Sequence, residues 1–366
     1  MIRSLLLTLL WLGGSQALAQ SSASDVYLGG QRQPSQISSQ AFFQQYRIDE
    51  QTIREVSLPV TAFIPFRRNW GLSLRVSGAV AWGDSLASLS GITDTQVHLS
   101  YRTSLGRGSL VGSLRFNLPT GKQHLTEEEF DTLVLLSQKP YDFRTPGFGV
   151  GVGVSPGVTF ALPVGRRTVA GFGIAYQVRG GFDPLADQPE TYVPGNELLL
   201  TGGLDVRFGT ALFFSTDLSY TLYQSDRLGD TRVFDAGDKL ALRAELRYRR
   251  RFSQAWFYAL FRGRSKNSRA VAGGVLAKEA VKSLPDQLAL QAGYLHGTRR
   301  RLDVGVTVEL QLFESSPVLP NVGILYGIGF NASFALSPRL RLPGRIAFRR
   351  GDVSGLEVSL GLLSHL

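Results

Sequence analysis

The charged residues of this chain that could do chemistry recur at every second position. Arg75, Arg102, Arg115, Arg207, Arg243, Arg247, Arg249, Arg341 and Arg345 alternate with apolar side chains along their segments. So do Glu197, Asp205, Asp217, Glu245, Asp303, Glu309 and Glu357. A ring of guanidinium groups around a passage selects anionic or polar solutes. The same residues, matched with carboxylates, could instead zip an enclosed space that passes nothing, because bare charge in a narrow lumen is costly. Both readings remain open at the level of sequence. The lumen-lining set they define is Arg75, His98, Arg102, Arg115, Asp205, Arg207, Asp217, Arg243, Glu245, Arg247, Asp303, Glu309, Arg341 and Arg345.

Other chemistry is thinly represented. His98 and Ser100 share one face of a segment, but a base–nucleophile pair also needs a third group to orient the base. His124, His296 and His365 show no metal spacing. The chain has no cysteine, which removes disulfides, thiol catalysis and thiolate metal sites. The glycine run Gly147–Gly157 is not followed by a helix start, so it is no phosphate loop. No catalytic residue, metal or cofactor is expected, and the chain does not read as an enzyme.

The longest connection holds one helix-forming stretch, Leu125–Leu136. Thr126 stands three residues before Glu129, the spacing of a capping box. Phe130, Leu133 and Val134 fall on one helical face. Glu127, Glu128, Glu129 and Asp131 crowd the helix start, where the dipole favours them. Two placements are open. The loop folds into the lumen so that these four acids meet inward Arg residues as a constriction, or it is a solvated outer-loop helix.

The elements that must position these groups are strands. Leu72, Leu74, Val76, Val80 and Trp82 alternate with Ser73, Arg75, Ser77 and Ala79. Leu302, Val304, Val306, Val308, Leu310 and Leu312 alternate with Asp303, Thr307, Glu309 and Gln311. Successive side chains of a strand point to opposite faces. One face is therefore continuously apolar and the other polar. Most of the segments are ten to thirteen residues long, against about 9–11 for a tilted membrane-crossing strand and about 5–6 for a soluble sandwich. Expected strands lie near 41–48, 53–65, 71–82, 95–105, 108–118, 147–162, 167–178, 196–208, 210–222, 238–250, 254–264, 286–296, 301–312, 321–335, 338–349 and 355–366.

Connections alternate between short and long, with long ones at 83–94, 119–146, 179–195, 223–237 and 264–285. Barrels of this kind have short periplasmic turns and long outer loops. The fold class expected is all-β: a transmembrane, up-and-down antiparallel β-barrel of 14–16 strands, with one short helix in the longest outer loop. An even count requires 41–48 and 53–65 both to be strands, giving sixteen, or neither. Sixteen is preferred.

Residues 1–19 have the pattern of a secretory signal peptide: Arg3, the apolar run Leu5–Leu12, and Ala17-Leu18-Ala19 before the cut. Residues 20–50, rich in Ser and Gln, are expected to be a flexible lead or a lumenal plug. Residues 51–366 form the barrel. No stretch has the length for a transmembrane helix. The net charge of +10 is scattered along the chain rather than gathered in a patch, so no nucleic-acid partner is expected. The 41 Gly and 12 Tyr suit tight turns and interfacial girdles. The expected place is the outer membrane of a Gram-negative envelope, with membrane lipid, the barrel-assembly machinery and a small solute of undetermined identity as partners.

Two resemblances bear on function. His98-Leu99-Ser100 is similar to the His-x-Ser core of the outer-membrane phospholipase A family, but Tyr101-Arg102 follows where that family has Asn-Gly. The hairpin from Asp94 to Lys122, whose strand ends Leu118-Pro119-Thr120-Gly121, resembles the outer-membrane transporters of the phenol-degradation MetA-pathway type. So does the Gly-rich segment Pro146–Gly153. The resemblance covers roughly residues 50–225 and implies a barrel for hydrophobic or aromatic compounds, as in the broader fatty-acid-channel group with its N-terminal plug. The expected function is a channel or passive transporter for small solutes. The alternative is a non-conducting structural or adhesion barrel whose outer loops bind a partner. The last residues, Leu360–Leu366, lack the terminal aromatic common in such barrels, yet their apolar face still alternates.

Overall fold

A computed structural model of the chain describes residues 34–366 apart from 49, 68, 139, 187–189, 272–274, 298–300 and 318–321. The signal peptide and most of the lead lie outside the described residues. In chain order the strands are β1 (Gln36–Ile48), β2 (Gln51–Arg67), β3 (Trp70–Gly83), β4 (Leu86–Ile92), β5 (Thr95–Leu105), β6 (Gly108–Leu118), β7 (Gly153–Pro163) and β8 (Thr168–Arg179). Then come β9 (Tyr192–Val193), β10 (Glu197–Phe208), β11 (Leu212–Tyr223), β12 (Asp226–Leu228), β13 (Thr231–Asp235), β14 (Lys239–Arg250) and β15 (Ser253–Arg264). The last are β16 (Ser268–Ala270), β17 (Leu276–Lys278), β18 (Gln287–Gly297), β19 (Leu302–Phe313), β20 (Ile324–Ser337), β21 (Leu340–Gly351) and β22 (Ser354–His365). The helix α1 spans Glu127–Leu136.

Neighbouring long strands pair antiparallel in sequence, and β1 pairs with β22, which closes the sheet. Strands β4 and β5 pair with successive halves of β3, at Gly78–Gly83 and Trp70–Arg75. They act as one long strand bent at Thr93-Asp94, so the wall has sixteen strands. Closure leaves no edge, and every wall backbone group can find a partner in the sheet. The outward face carries exposed Leu58, Leu74, Phe172, Leu218, Leu246, Val308, Ile328 and Leu360. Phe66, Trp70 and Tyr101 cluster outward at the short-turn end, with centroids 6.0 and 4.8 Å apart. An apolar band edged by aromatics is the surface a bilayer requires. The molecule is a membrane-spanning β-barrel.

Three expectations need correction. Residues 36–48 belong to the wall as β1, so the boundary between lead and barrel falls near 35 and not at 50. Residues 83–94 are not a long loop, because Asp84 and Ser85 make a tight turn into β4. Strand β7 begins at Gly153 rather than 147. Before it, Gly149 donates its N–H to the Lys122 carbonyl at 2.9 Å, an approach that a Cβ at Gly149 would block at 2.6 Å. The long connections also hold elements that alternation did not announce: β9, β12, β13, β16 and β17 form a five-stranded sheet beyond the wall.

A sixteen-strand barrel is too wide for wall side chains alone to fill. Here the 119–152 connection folds inward. Helix α1 has the capping box, with Thr126 and Glu129 exchanging side-chain-to-backbone bonds of 3.3 Å. Its Thr132 donates to the Ala87 carbonyl of β4 at 2.8 Å. Phe130, Val134 and Leu136 join Tyr46, Ile53, Ala79, Ala81, Leu89, Tyr141, Phe143 and Leu325 in one buried cluster. The apolar core of this barrel therefore lies inside the wall, at the long-loop end.

Candidate functional site: the lumen

Strand registers decide which side chains share the enclosed face. Thr61 opposes Arg75, Arg75 opposes Gln96, His98 opposes Arg115, and Arg115 opposes Ser155. Asp205 opposes Ser215, Arg207 opposes Phe213, and Asp217 opposes Arg243. Continuing this parity around the sheet places all fourteen residues of the lumen-lining set on the inward face. Their surroundings differ sharply along that face.

At the long-loop end, the segment after α1 is clamped by inward side chains. Arg144 donates to both oxygens of Glu357 at 3.1 and 3.0 Å, and Arg345 lies 3.6 Å from the same carboxylate. Gln44 donates to Glu357 at 3.1 Å and to the Asp142 carbonyl at 3.2 Å, and accepts from the Arg144 amide at 2.8 Å. The Thr145 amide donates to Glu55 at 3.1 Å, and the Thr145 hydroxyl meets Ser77 at 3.1 Å. Arg349 pairs with Glu309, donates to the Tyr46 hydroxyl and reaches Asp142 at 3.2 Å. Each wall partner is an inward residue, so residues 141–145 occupy the lumen.

Of the two placements left open for α1, neither holds whole: the loop folds inward, but the four acids do not meet inward Arg residues. Glu127, Glu128 and Asp131 are exposed, and Glu129 pairs with Lys122 at 2.5 Å. None of the four acids pairs with an inward Arg among the described residues. Capping requires acids at the first turn of α1, and that turn stays in water. Burial goes to the apolar helix face and to the Tyr141–Thr145 stretch beyond it. Sequence reasoning missed Gln44, Tyr46, Glu55, Asp142, Arg144 and Arg349. Arg349 continues the series Arg341, Arg345 by four residues and could have been found by parity. Asp142 and Arg144 lie in a loop, where alternation carries no signal.

Along the wall from β10 to β14 the charges are zipped. Arg179 pairs with Glu197. Glu245 takes Arg243 at 3.1 Å on one oxygen and Arg247 on the other. Asp217 is buried beneath this group, and Asp205 is buried nearby. Arg341 pairs with Asp303 across β19–β21. Beyond the wall, a cavity of about 730 Å³ is lined by Arg179, Tyr223, Arg227, Arg232 and Asp235. In the adjoining loop sheet, Asp226 accepts from the Tyr192 hydroxyl and from the Gly195 amide at 2.7 Å. Burial pushes the Asp226 carboxyl up to about 6.

Towards the short-turn end, between β1 and β6, the inward face is different again. Arg75, His98 and Arg115 border a second cavity of about 480 Å³, with Gln96, Phe63 and His365. Arg102, one turn nearer the rim, donates to Ser109 at 3.0 Å. Ser100 donates to the Gly71 carbonyl at 3.3 Å, so its hydroxyl is tied to the wall. Among the described residues, no carboxylate pairs with His98 to orient it.

No family model and no curated protein matches the chain. Among solved structures it is similar to the CymD monoaromatic hydrocarbon channel, at 13% identity and a TM-score of 0.45, over 94% of this chain and 93% of that one. It is also similar to a TodX deltaS2S3 mutant monoaromatic hydrocarbon channel, at 10% identity and TM-score 0.48, over 96% and 95%. A third is OprB of Pseudomonas putida, at 8% identity and TM-score 0.48, over 93% and 95%. At such identities and scores, what passes through this chain must be argued from its own lumen.

Proposed function

We propose that this chain is a passive outer-membrane channel for small solutes, partly narrowed on one side by its own inserted loop. One observation carries the proposal: the mid-wall guanidiniums of Arg243 and Arg247 keep 41% and 45% of their side-chain surface open to water. Their strands are sealed on both edges by neighbours, so that water reaches them along the axis. A barrel packed shut would bury these groups. Cavities at both ends of the wall agree with a passage between them. In this reading the long loops face outward and the wall begins at Gln36 and ends at His365 on the periplasmic side, after export by the 1–19 signal and folding by the assembly machinery. The Arg-rich lining favours polar and anionic solutes over the neutral hydrophobic compounds that the MetA-pathway resemblance implies.

Reconstitution of the full mature chain in planar bilayers tests the proposal. Stable ohmic steps in KCl are expected. Silence at concentrations where the protein is shown by heat-modifiability to be folded in the bilayer lipid would overturn it.

A further inference from the structure

The two cationic side chains that border the 480 Å³ cavity have no anion of their own. Arg75 and Arg115 make no ion pair and no side-chain hydrogen bond among the described residues, while Arg102, Arg144, Arg179, Arg243, Arg247, Arg341 and Arg349 each have a carboxylate or hydroxyl partner. The acid nearest by register is Asp94. Its Oδ1 accepts from the Gly121 amide at 2.9 Å, and its Oδ2 accepts from Asn117 at 2.7 Å and the Val150 amide at 2.8 Å. It holds the loop and is not directed at either guanidinium. Two guanidiniums bordering one cavity with no anion between them, Arg75 exposed and Arg115 half-buried, leave a favourable place for negative charge.

A second observation lies on the opposite side of the cavity. The Nδ1 atom of His365 is buried and has no hydrogen-bond partner. Buried ring nitrogens are ordinarily satisfied, so this lining carries an unmet polar group near the two unpartnered cations. His98 adds a third ring between Arg115 and Ser73. Phe63 and Pro34 supply an apolar side to the same space. The guanidinium fork matches a carboxylate in plane and spacing.

From this we infer that Arg75 and Arg115 form an internal binding site for a small organic carboxylate with an apolar body, held near the short-turn end of the lumen with His365 in its lining. The inference rests on the channel reading for its role in transport, though not for binding itself. The carboxylate sits between the two guanidiniums and its body lies against Phe63. The site is weak by design of its surroundings, since it is open to lumenal water and a passing solute must leave as well as enter.

The test uses benzoate, with benzyl alcohol as its uncharged counterpart, on the full mature chain. Binding to the detergent-solubilised protein is followed by calorimetry, and channel current is followed in planar bilayers. Benzoate is expected to bind and to reduce chloride current, and benzyl alcohol to do neither. Arg75→Ala/Arg115→Ala should weaken benzoate at least about tenfold, the loss expected for charge-assisted hydrogen bonds. Arg75→Lys/Arg115→Lys keeps the charge and should retain part of the binding, which guards against a folding defect. Benzoate binding in a barrel that never conducts would uphold the site and overturn the channel. Ohmic steps with no benzoate effect, or equal binding of benzyl alcohol, would overturn the site and leave the channel standing.

Discussion

The clamp around residues 141–145 and the patch around Arg75 and Arg115 use the same residue type on the same face of the same barrel. In the clamp, Arg349 and Arg144 are surrounded by Glu309, Asp142 and Glu357, and Glu357 itself is almost wholly buried. In the patch no carboxylate among the described residues answers the guanidiniums. An arginine with a buried acid partner is part of the architecture, because separating the pair leaves an uncompensated charge. An arginine facing a water-filled cavity contributes little to stability and remains available to a ligand. Inward position alone therefore does not mark a functional residue; the presence or absence of an acid across the register does.

The sharpest way to break this contrast is to remove one Arg from each region. Arg349→Ala should destabilise the barrel by about 3 kcal/mol, since Glu309 and Asp142 then lose a buried partner. Arg75→Ala should stay within about 0.5 kcal/mol of the parent, as for a substitution away from any buried network. Urea unfolding in lipid vesicles, read by tryptophan fluorescence, compares the two. Equal losses would remove the distinction.

Replacing residues 141–145 by Gly and Ser sharpens the same contrast through transport. It removes the inserted segment and leaves the patch untouched. Single-channel conductance should rise at least about twofold, as expected when a lumenal constriction is lost. An unchanged step size would mean that the insert lies beside the conducting path.

A smaller effect is expected outside the wall, where two loop carboxylates respond oppositely to acid. Burial raises Asp226 to about 6 from its ordinary 3.8. Its folded form holds the proton more firmly than the unfolded loop does. That contribution is complete below the ordinary value and is lost as pH rises through about 6. Asp352 is the reverse: the amides of Ile324 and Gly323, at 2.8 and 2.7 Å, hold its carboxyl below the usual range. Its contribution is present above the ordinary value and disappears as pH falls through the lowered one. Limited proteolysis of the 224–238 connection should therefore be slower at pH 5 than at pH 7, and Asp226→Asn should flatten the difference.

Much of the fold was legible in the sequence because a bilayer outside and water inside impose strict alternation on each strand. The rule failed where the inside is not water. In β1, Phe42 and Tyr46 point inward beside outward Phe43, and in β4 Leu89 points inward between Ser88 and Ser90. Both strands face the inserted loop, so both of their faces are apolar or small, and the pattern blurs. Ala79 and Ala81 of β3 are small for the same reason, to admit α1 and the segment after it. The lapses of alternation at 36–48 and 86–92 thus outline the filled part of the lumen. The charged lining was legible as a face but not as a set of pairs. Pairing depends on register across strands far apart in sequence, such as Arg144 with Glu357. The helix acids were misleading because capping and lumenal contact call for the same residues, and only packing distinguishes them.

The contrast between paired and unpaired arginines is tested most directly by the reversal potential of the reconstituted channel across a KCl gradient. The parent should be anion-selective, and Arg75→Ala/Arg115→Ala should move the reversal potential toward that of potassium without altering urea stability. A cation-selective parent, or a double variant whose reversal potential does not move, would contradict it.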